Sequence, residues 1–182
     1  MNNSHWLRLA LILCLSPSAY AQQHTHGQGE LLIAQDGERW HLQLILPAAD
    51  ALGFEHEAKT SEQKKAQHHL AHKLTHNAGV VQLAGQCSLV SAEHSLQAVD
   101  NQNHPHKHHE HHEHHDDNEQ HHEHRHSNIE VTYQYDCASA VTQLSLPLFE
   151  SMPSLSLIKA QWLTDKGQGV ANLTSSQPYI AW

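Results

Sequence analysis

The sequence predicts a mainly β fold of the α+β class: a single compact antiparallel β domain, such as a sandwich, with one helix. Three observations predict it. Several short apolar-rich segments are separated by turn residues, one segment repeats its apolar residues every four positions, and a long polar insert divides the apolar parts of the chain. Without its leader and this insert, the chain has about 130 residues, the usual size of one domain.

Residues 1–21 have the pattern of a secretory signal peptide. Arg8 gives a positive start, residues 9–15 form an apolar core, and residues 19–21 match the small-x-small cleavage pattern. We therefore expect an exported mature chain of residues 22–182. An uncleaved anchor is one alternative, but a membrane-spanning helix needs about 20 consecutive apolar residues, which this segment lacks. A lipid on Cys14 is the other, and the bulky residue before it disfavours that processing.

The net charge of the mature chain narrows the classes of partner that it could bind. Cleavage removes one basic and no acidic residue, so the formal net charge falls from −9 to −10, which disfavours nucleic acid and anionic membranes as partners.

Cleavage also removes Cys14, and two cysteines remain. In an exported chain such a pair most simply forms a disulfide, Cys87 to Cys137; two metal-binding thiols are the alternative.

The first predicted elements are two strands, at residues 30–34 and 39–46. Asp36 and Gly37 between them are a strong hairpin signal. The second strand alternates, so His41 should point away from the apolar face and be solvated. The residues of its predicted buried face are Trp40, Leu42, Leu44 and Leu46.

A helix follows, and its start has a recognisable cap. Thr60 and Gln63 have the spacing of a capping box, and the helix is expected to run to about Asn77 and stop near Gly79. Its residues form two stripes about opposite each other. The predicted buried stripe is Ala66, Leu70 and Leu74, and the other stripe is His68, His72 and His76. Further short strands are predicted at 80–83, 87–92, 129–137, 141–146, 155–163 and 169–173.

The polar insert, from about residue 97 to residue 127, is rich in histidine. It has almost no apolar residues, so it cannot bury a core and is expected to be disordered. Neutral imidazoles bind Zn²⁺, and the neighbouring carboxylates add negative charge and oxygen ligands. The candidate ligands are His104, His106, His108, His109, His111, His112, His114, His115, His121, His122, His124 and His126.

These histidines offer many overlapping ligand sets, so we expect several weak, exchangeable ions rather than one fixed ion. Cu²⁺ and Ni²⁺ also bind imidazole, and Cu²⁺ binds it more strongly than Zn²⁺. An imidazole with an ordinary pKa of about 6.5 is mostly neutral at pH 7 and protonated by about pH 5, so acid should release the metal. A tract that merely keeps the chain soluble is the alternative interpretation.

Histidines outside the insert are the candidates for an ordered site. His24 and His26 are two residues apart, and in an extended segment they project from the same face. Further ligands could come from His56 or from the helical histidine stripe, where a spacing of four suits chelation. A solvated terminus and an exposed helix face are the alternatives.

The motifs together resemble the ZrgA family of periplasmic zinc-uptake proteins. The resemblance covers most of the mature chain. It rests on His24-x-His26-Gly27 before a strand, Gly53-Phe54-Glu55-His56 before the helix start, Cys87, the His/Asp/Glu insert, Cys137, Leu148-Phe149-x-x-Met152-Pro153 and Gly167-Gln168. Met152 departs from the family pattern, which usually has an aromatic residue there, and the helix need not carry histidine.

The resemblance implies zinc binding in the periplasm and assistance to an ABC-type zinc importer through its receptor or permease, without catalytic activity. It implies His24, His26 and His56 as ordered ligands and the insert as a mobile metal-binding region.

Two other functions compete with this one. The first is a storage or detoxification buffer for Zn²⁺, Cu²⁺ or Ni²⁺, which would need the same ligands. The second is a secreted zinc hydrolase, which is disfavoured because the sequence has no His-Glu-x-x-His helix motif and no Gly-x-Ser-x-Gly motif.

Overall fold

The computed structural model describes residues 25–96 and 127–182. The predicted signal peptide, His24 and residues 97–126 of the predicted insert lie outside these ranges. The elements are β1 Gln28–Asp36, β2 Arg39–Pro47, α1 Ala48–Leu52, α2 Ser61–Thr75, β3 Gln82–Leu83, β4 Cys87–His94, β5 Asn128–Cys137, β6 Gln143–Ser145, a 3-10 helix at Pro147–Glu150, β7 Leu157–Thr164, β8 Gly167–Leu173 and β9 Tyr179–Ala181.

The strands form two sheets, as the mainly β prediction requires. Six strands pair in the order β4-β5-β2-β1-β7-β8, and three pair in the order β3-β6-β9. Every pair of neighbours is antiparallel except β1 and β7, which run parallel. The larger sheet is therefore mixed, because a strand from the last third of the chain is added beside the first strand in the same direction.

The first hairpin forms as predicted. Asp36 pairs with Arg39, and Gly37 has a φ of 60°, a conformation that favours glycine in a tight turn. The alternating face of β2 is buried, and His41 is exposed on the opposite face. The interpretation of His41 as a solvated strand residue agrees with this placement.

Helix α2 begins with the predicted capping box. The Thr60 hydroxyl accepts a hydrogen bond from the Gln63 amide, and the Gln63 side chain accepts one from the Thr60 amide. Leu70 and Leu74 are buried as predicted, but Ala66 is exposed. The prediction for Ala66 was wrong because the core covers only the C-terminal half of α2.

Both sheets and α2 share one cluster of buried side chains. The Tyr133 hydroxyl, on β5, donates to the carbonyl of Leu74, a buried bond of 2.8 Å that ties the helix to the sheet. Burial raises the pKa of Tyr133 well above its usual value, so this hydroxyl keeps its proton. No helix in the described ranges is long and apolar enough to cross a membrane.

The predicted disulfide is present between Cys87 at the start of β4 and Cys137 at the end of β5. These two residues are also register partners in the sheet. The alternative, in which the two thiols bind metal, is excluded because both sulfurs are in the disulfide.

Candidate metal site

The described chain begins next to His26 and Gly27, which lie against α1 and the loop that follows it. The Gly27 amide donates to the Asp50 carboxylate at 2.6 Å, and the Gly27 carbonyl accepts from the Ser156 amide and hydroxyl, each at 2.9 Å. Gly27 has a φ of 75°, and a Cβ there would lie 3.1 Å from the Ser156 oxygen. This position therefore favours glycine. The contacts of Gly27 also hold the backbone next to His26, from which the His26 side chain projects.

His26 is held beside Glu55. The His26 Nδ1 lies 3.4 Å from the Glu55 Oε1, with the His26 side chain 63% exposed and that of Glu55 26% exposed. A carboxylate at one ring nitrogen orients the imidazole and makes the other nitrogen a better metal ligand. The contact thus gives His26 an arrangement typical of metal-ligating histidines.

His56 follows Glu55 in the same loop and is exposed. Its ring stacks on Phe54, with ring centroids 5.5 Å apart and planes 29° apart. Its Nδ1 lies 2.8 Å from the carbonyl oxygen of Glu57. Because a carbonyl oxygen can only accept a hydrogen bond, Nδ1 carries the ring proton and donates it. The Nε2 atom then has the lone pair that a metal requires.

Both described ends of the histidine-rich insert lie at this loop. The Ser127 hydroxyl donates to the Glu55 carbonyl at 2.9 Å, and the Ser127 carbonyl accepts from the Ala48 amide at 2.9 Å. Leu96, the last described residue before the insert, lines a cavity of about 340 Å³ together with Glu55, His56 and Ser127. The described chain therefore ends before the insert, at Leu96, and resumes after it, at Ser127, beside Glu55 and His56.

The predicted histidine stripe of α2 is exposed, as the helical periodicity indicated. His68, His72 and His76 all lie on the solvent side, and the rings of His72 and His76 stack with centroids 4.2 Å apart. His72 and His76 belong to the C-terminal end of α2, whereas His56 precedes its N-terminus. The cavity beside Glu55 and His56 is lined on α2 by Gln67 and not by the three histidines of the stripe.

Within residues 25–96 and 127–182, no group of three or more His, Cys, Asp or Glu side chains is arranged to hold a metal ion. The structure brings His26 to Glu55 and places His56 next along the chain, but these residues do not form a closed ligand set. The predicted ligand His24 and the twelve insert histidines lie outside the described part of the chain. Their roles remain predictions.

Sequence reasoning missed two residues here. Glu55 belongs to a local sequence motif, but its contact with His26 joins positions 29 residues apart, which no local pattern indicates. His94, at the end of β4, is only 7% exposed; its Nε2 lies 2.9 Å from the Thr75 hydroxyl, and its Nδ1 has no hydrogen-bond partner among the described residues. Burial lowers the pKa of His94, which favours the neutral form of this imidazole in the fold.

A second cavity, of about 640 Å³, lies on the outer face of the six-stranded sheet. Exposed apolar side chains and amide side chains line it, among them Leu163, Val170 and Gln161, and His41 is the ionisable residue of the lining. A single imidazole does not provide a metal site. The cavity on the side of Glu55 and His56 therefore carries the candidate metal chemistry.

Comparison with known families gives one match. The sequence model described as "ZrgA family zinc uptake protein" matches residues 23–182, which include every residue that the structure describes. A comparison with curated proteins finds no match.

Proposed function

Because the chain belongs to the ZrgA family of zinc uptake proteins, we propose that it is an exported accessory protein that captures Zn²⁺ in the periplasm and assists uptake by an ABC-type importer. Zinc is its cargo. His24, His26 and His56 supply the ordered ligands, and the insert histidines supply a second, exchangeable set. The partner is the periplasmic receptor or the permease of the importer, and no catalytic step is assigned to the chain.

The contact between His26 and Glu55 carries this proposal. It places a carboxylate at the Nδ1 of a histidine whose side chain is 63% exposed, and it sets that histidine at the loop of His56. Glu55 would then either orient His26 or add an oxygen ligand, both of which suit Zn²⁺. A third imidazole would come from His24, two residues before His26 in the chain.

The described residues on either side of the insert support a transfer role. Because Leu96 and Ser127 lie at the same cavity as Glu55 and His56, an ion collected by the insert would be released beside the ordered site. The insert has more acidic than basic residues, which attracts cations before any ligand bond forms. Capture would be fast at the insert, and retention would be longer at the ordered site.

A zinc titration of the mature chain tests the two classes of ligand. Deleting residues 104–126 should remove the weak phase and leave a tight phase, and replacing His24 and His26 by Ala should do the reverse. Glu55→Gln should weaken the tight phase alone, and His41→Ala is the matched control because His41 is exposed on a strand outside the site. Loss of the tight phase on deletion of the insert would show that the ordered ligands are wrongly assigned.

Uptake is distinguished from storage by physiology. A chain that assists import should be produced on zinc starvation, and its loss should slow growth in a zinc-chelated medium. A storage or detoxification buffer should instead be produced on metal excess, and its loss should lower metal tolerance. Membership of a family of zinc uptake proteins favours the first outcome.

A further inference from the structure

Two histidines at the C-terminal end of α2 have the geometry of a metal-chelating pair. His72 and His76 are four residues apart and exposed, with ring centroids 4.2 Å apart and ring planes 27° apart. This spacing places both side chains on one face of a helix, one turn apart. Metal–nitrogen bonds are about 2.0–2.1 Å long, so two imidazoles on one ion hold their ligating nitrogens about 3 Å apart. Small side-chain rotations bring rings at the observed spacing to that distance.

A backbone contact selects the ligating atom of His76. The His76 Nδ1 lies 2.9 Å from the carbonyl oxygen of His72. Since a carbonyl only accepts, Nδ1 carries the proton and donates it, and the lone pair is on Nε2. A histidine held in this way by a carbonyl has the tautomer and ring orientation found in metal sites.

The electrostatic surroundings favour this pair over the pair His68 and His72. His76 is the C-terminal cap of α2, where the unpaired carbonyls of a helix end concentrate partial negative charge. A shallow surface cavity is lined by His68 and His72 together with Lys64 and Lys65. The two lysines lie about one helical turn before His68 but about two turns before His72 and three before His76, so their ammonium groups repel a cation more at the pair His68 and His72 than at the pair His72 and His76. Lys73, the nearest basic residue to His72 in the chain, donates its ammonium group to the Ser151 hydroxyl.

We propose that His72 and His76 form a second metal site, a two-imidazole chelate for a divalent transition-metal ion whose other ligands are water molecules. Affinities of imidazole sites for divalent ions rise from Ni²⁺ to Cu²⁺ and fall again at Zn²⁺, so Cu²⁺ is its preferred ion. Two protein ligands bind less tightly than a closed set of four, so exchange is fast. The site lies in the last turn of α2 and does not rest on the zinc-uptake proposal.

The test is a Cu²⁺ titration of the full mature chain followed by two-dimensional NMR, in which paramagnetic Cu²⁺ broadens the amide signals near each bound ion. With Cu²⁺ in excess of the insert histidines, we expect selective broadening of the amides of residues 72–77. His72→Gln and His76→Gln should each raise the Cu²⁺ concentration needed at least about tenfold, because a two-point attachment becomes a single one.

The matched control replaces His68 and His69 by Gln, which removes two exposed imidazoles of the same helix and keeps the proposed pair. The control should broaden like the unchanged chain, and metal-free spectra of all variants report whether α2 is intact. If either single substitution leaves unchanged the Cu²⁺ concentration that broadens residues 72–77, or if the control raises it as much as the single substitutions do, the proposal is wrong. The outcome is independent of the zinc-uptake proposal, because the experiment measures Cu²⁺ binding at the end of α2 and does not measure transport.

Discussion

At the scale of single residues, Asn77 joins α2 to the sheet. Its backbone has a φ of 47°, in the left-handed region that Asn tolerates better than most residues. Its side-chain amide donates to the Tyr135 hydroxyl at 2.5 Å and to the Val81 carbonyl at 2.7 Å, while its oxygen accepts from the Val81 amide at 2.9 Å. One half-buried side chain therefore supplies hydrogen bonds that hold the turn after α2 against the sheet.

We predict that Asn77→Ala lowers the free energy of unfolding by about 2–3 kcal/mol. The Tyr135 hydroxyl and the Val81 backbone lose their hydrogen-bond partner, and Ala is less well tolerated than Asn at positive φ. Asn77→Gly removes the same hydrogen bonds without the backbone strain, so most of the loss should remain. Denaturant unfolding measures both variants. Wild-type stability of Asn77→Gly would mean that the hydrogen bonds contribute little.

His94 gives the stability a pH dependence. Burial lowers its pKa below the ordinary value of about 6.5, so the folded chain resists a proton that the unfolded chain accepts. The free energy of unfolding should therefore fall as the pH drops below about 6.5, with a slope of at most about 1.4 kcal/mol per pH unit from this residue, until the folded state protonates too.

Unfolding of metal-free protein between pH 7 and pH 5 measures this slope. His94→Gln should flatten it, whereas His41→Gln, which changes an exposed histidine, should leave it unchanged. An equal slope in wild type and His94→Gln would place the pH dependence elsewhere in the chain.

The candidate site was predictable only in part. Sequence spacing selected His26 and His56, because their motifs are local. Glu55 and His94 were not selected as functional groups, because their importance comes from contacts or burial that depend on the folded chain. Ala66 shows the converse error, since helical periodicity says which residues share a stripe and not how far the core extends along it.

At the scale of elements, alternation and capping predicted most of the fold. The strands of the first hairpin, β5 and α2 all have strong local patterns, and the structure contains them close to the predicted bounds. The helix α1, the 3-10 helix and β9 were missed because each spans at most five residues, which is too short for a periodic signal. The parallel pairing of β1 with β7 was also missed, because side-chain alternation does not identify a strand's neighbour.

The capping box of α2 should contribute measurably to stability. We predict that Thr60→Ala lowers the free energy of unfolding by about 1 kcal/mol, because the Gln63 amide loses its acceptor. Ser61→Ala is the control, since the Ser61 hydroxyl donates only to the neighbouring Glu62 side chain. Equal stabilities of the two variants would show that the cap has no net effect.

At the scale of the whole molecule, the disulfide closes a separation of 50 residues that includes the insert. A crosslink of that span removes unfolded-state entropy worth about 4 kcal/mol in the chain-entropy model. We predict that replacing both Cys87 and Cys137 by Ser lowers the free energy of unfolding by roughly this amount. A variant that also lacks residues 104–126 should lose less, because the loop is shorter; an equal or larger loss would contradict the entropic explanation.

The topology of β4 and β5 also bears on how such a chain can change over generations. The two strands are antiparallel neighbours, paired from Cys87 with Cys137 at one end to His94 with Val131 at the other. The segment between them starts and finishes at adjacent positions, and each doubling of such a loop costs only about 0.6 kcal/mol. Duplication or loss of His-His-Glu repeats would therefore change the number of histidines that the insert carries without altering the pairing of β4 with β5.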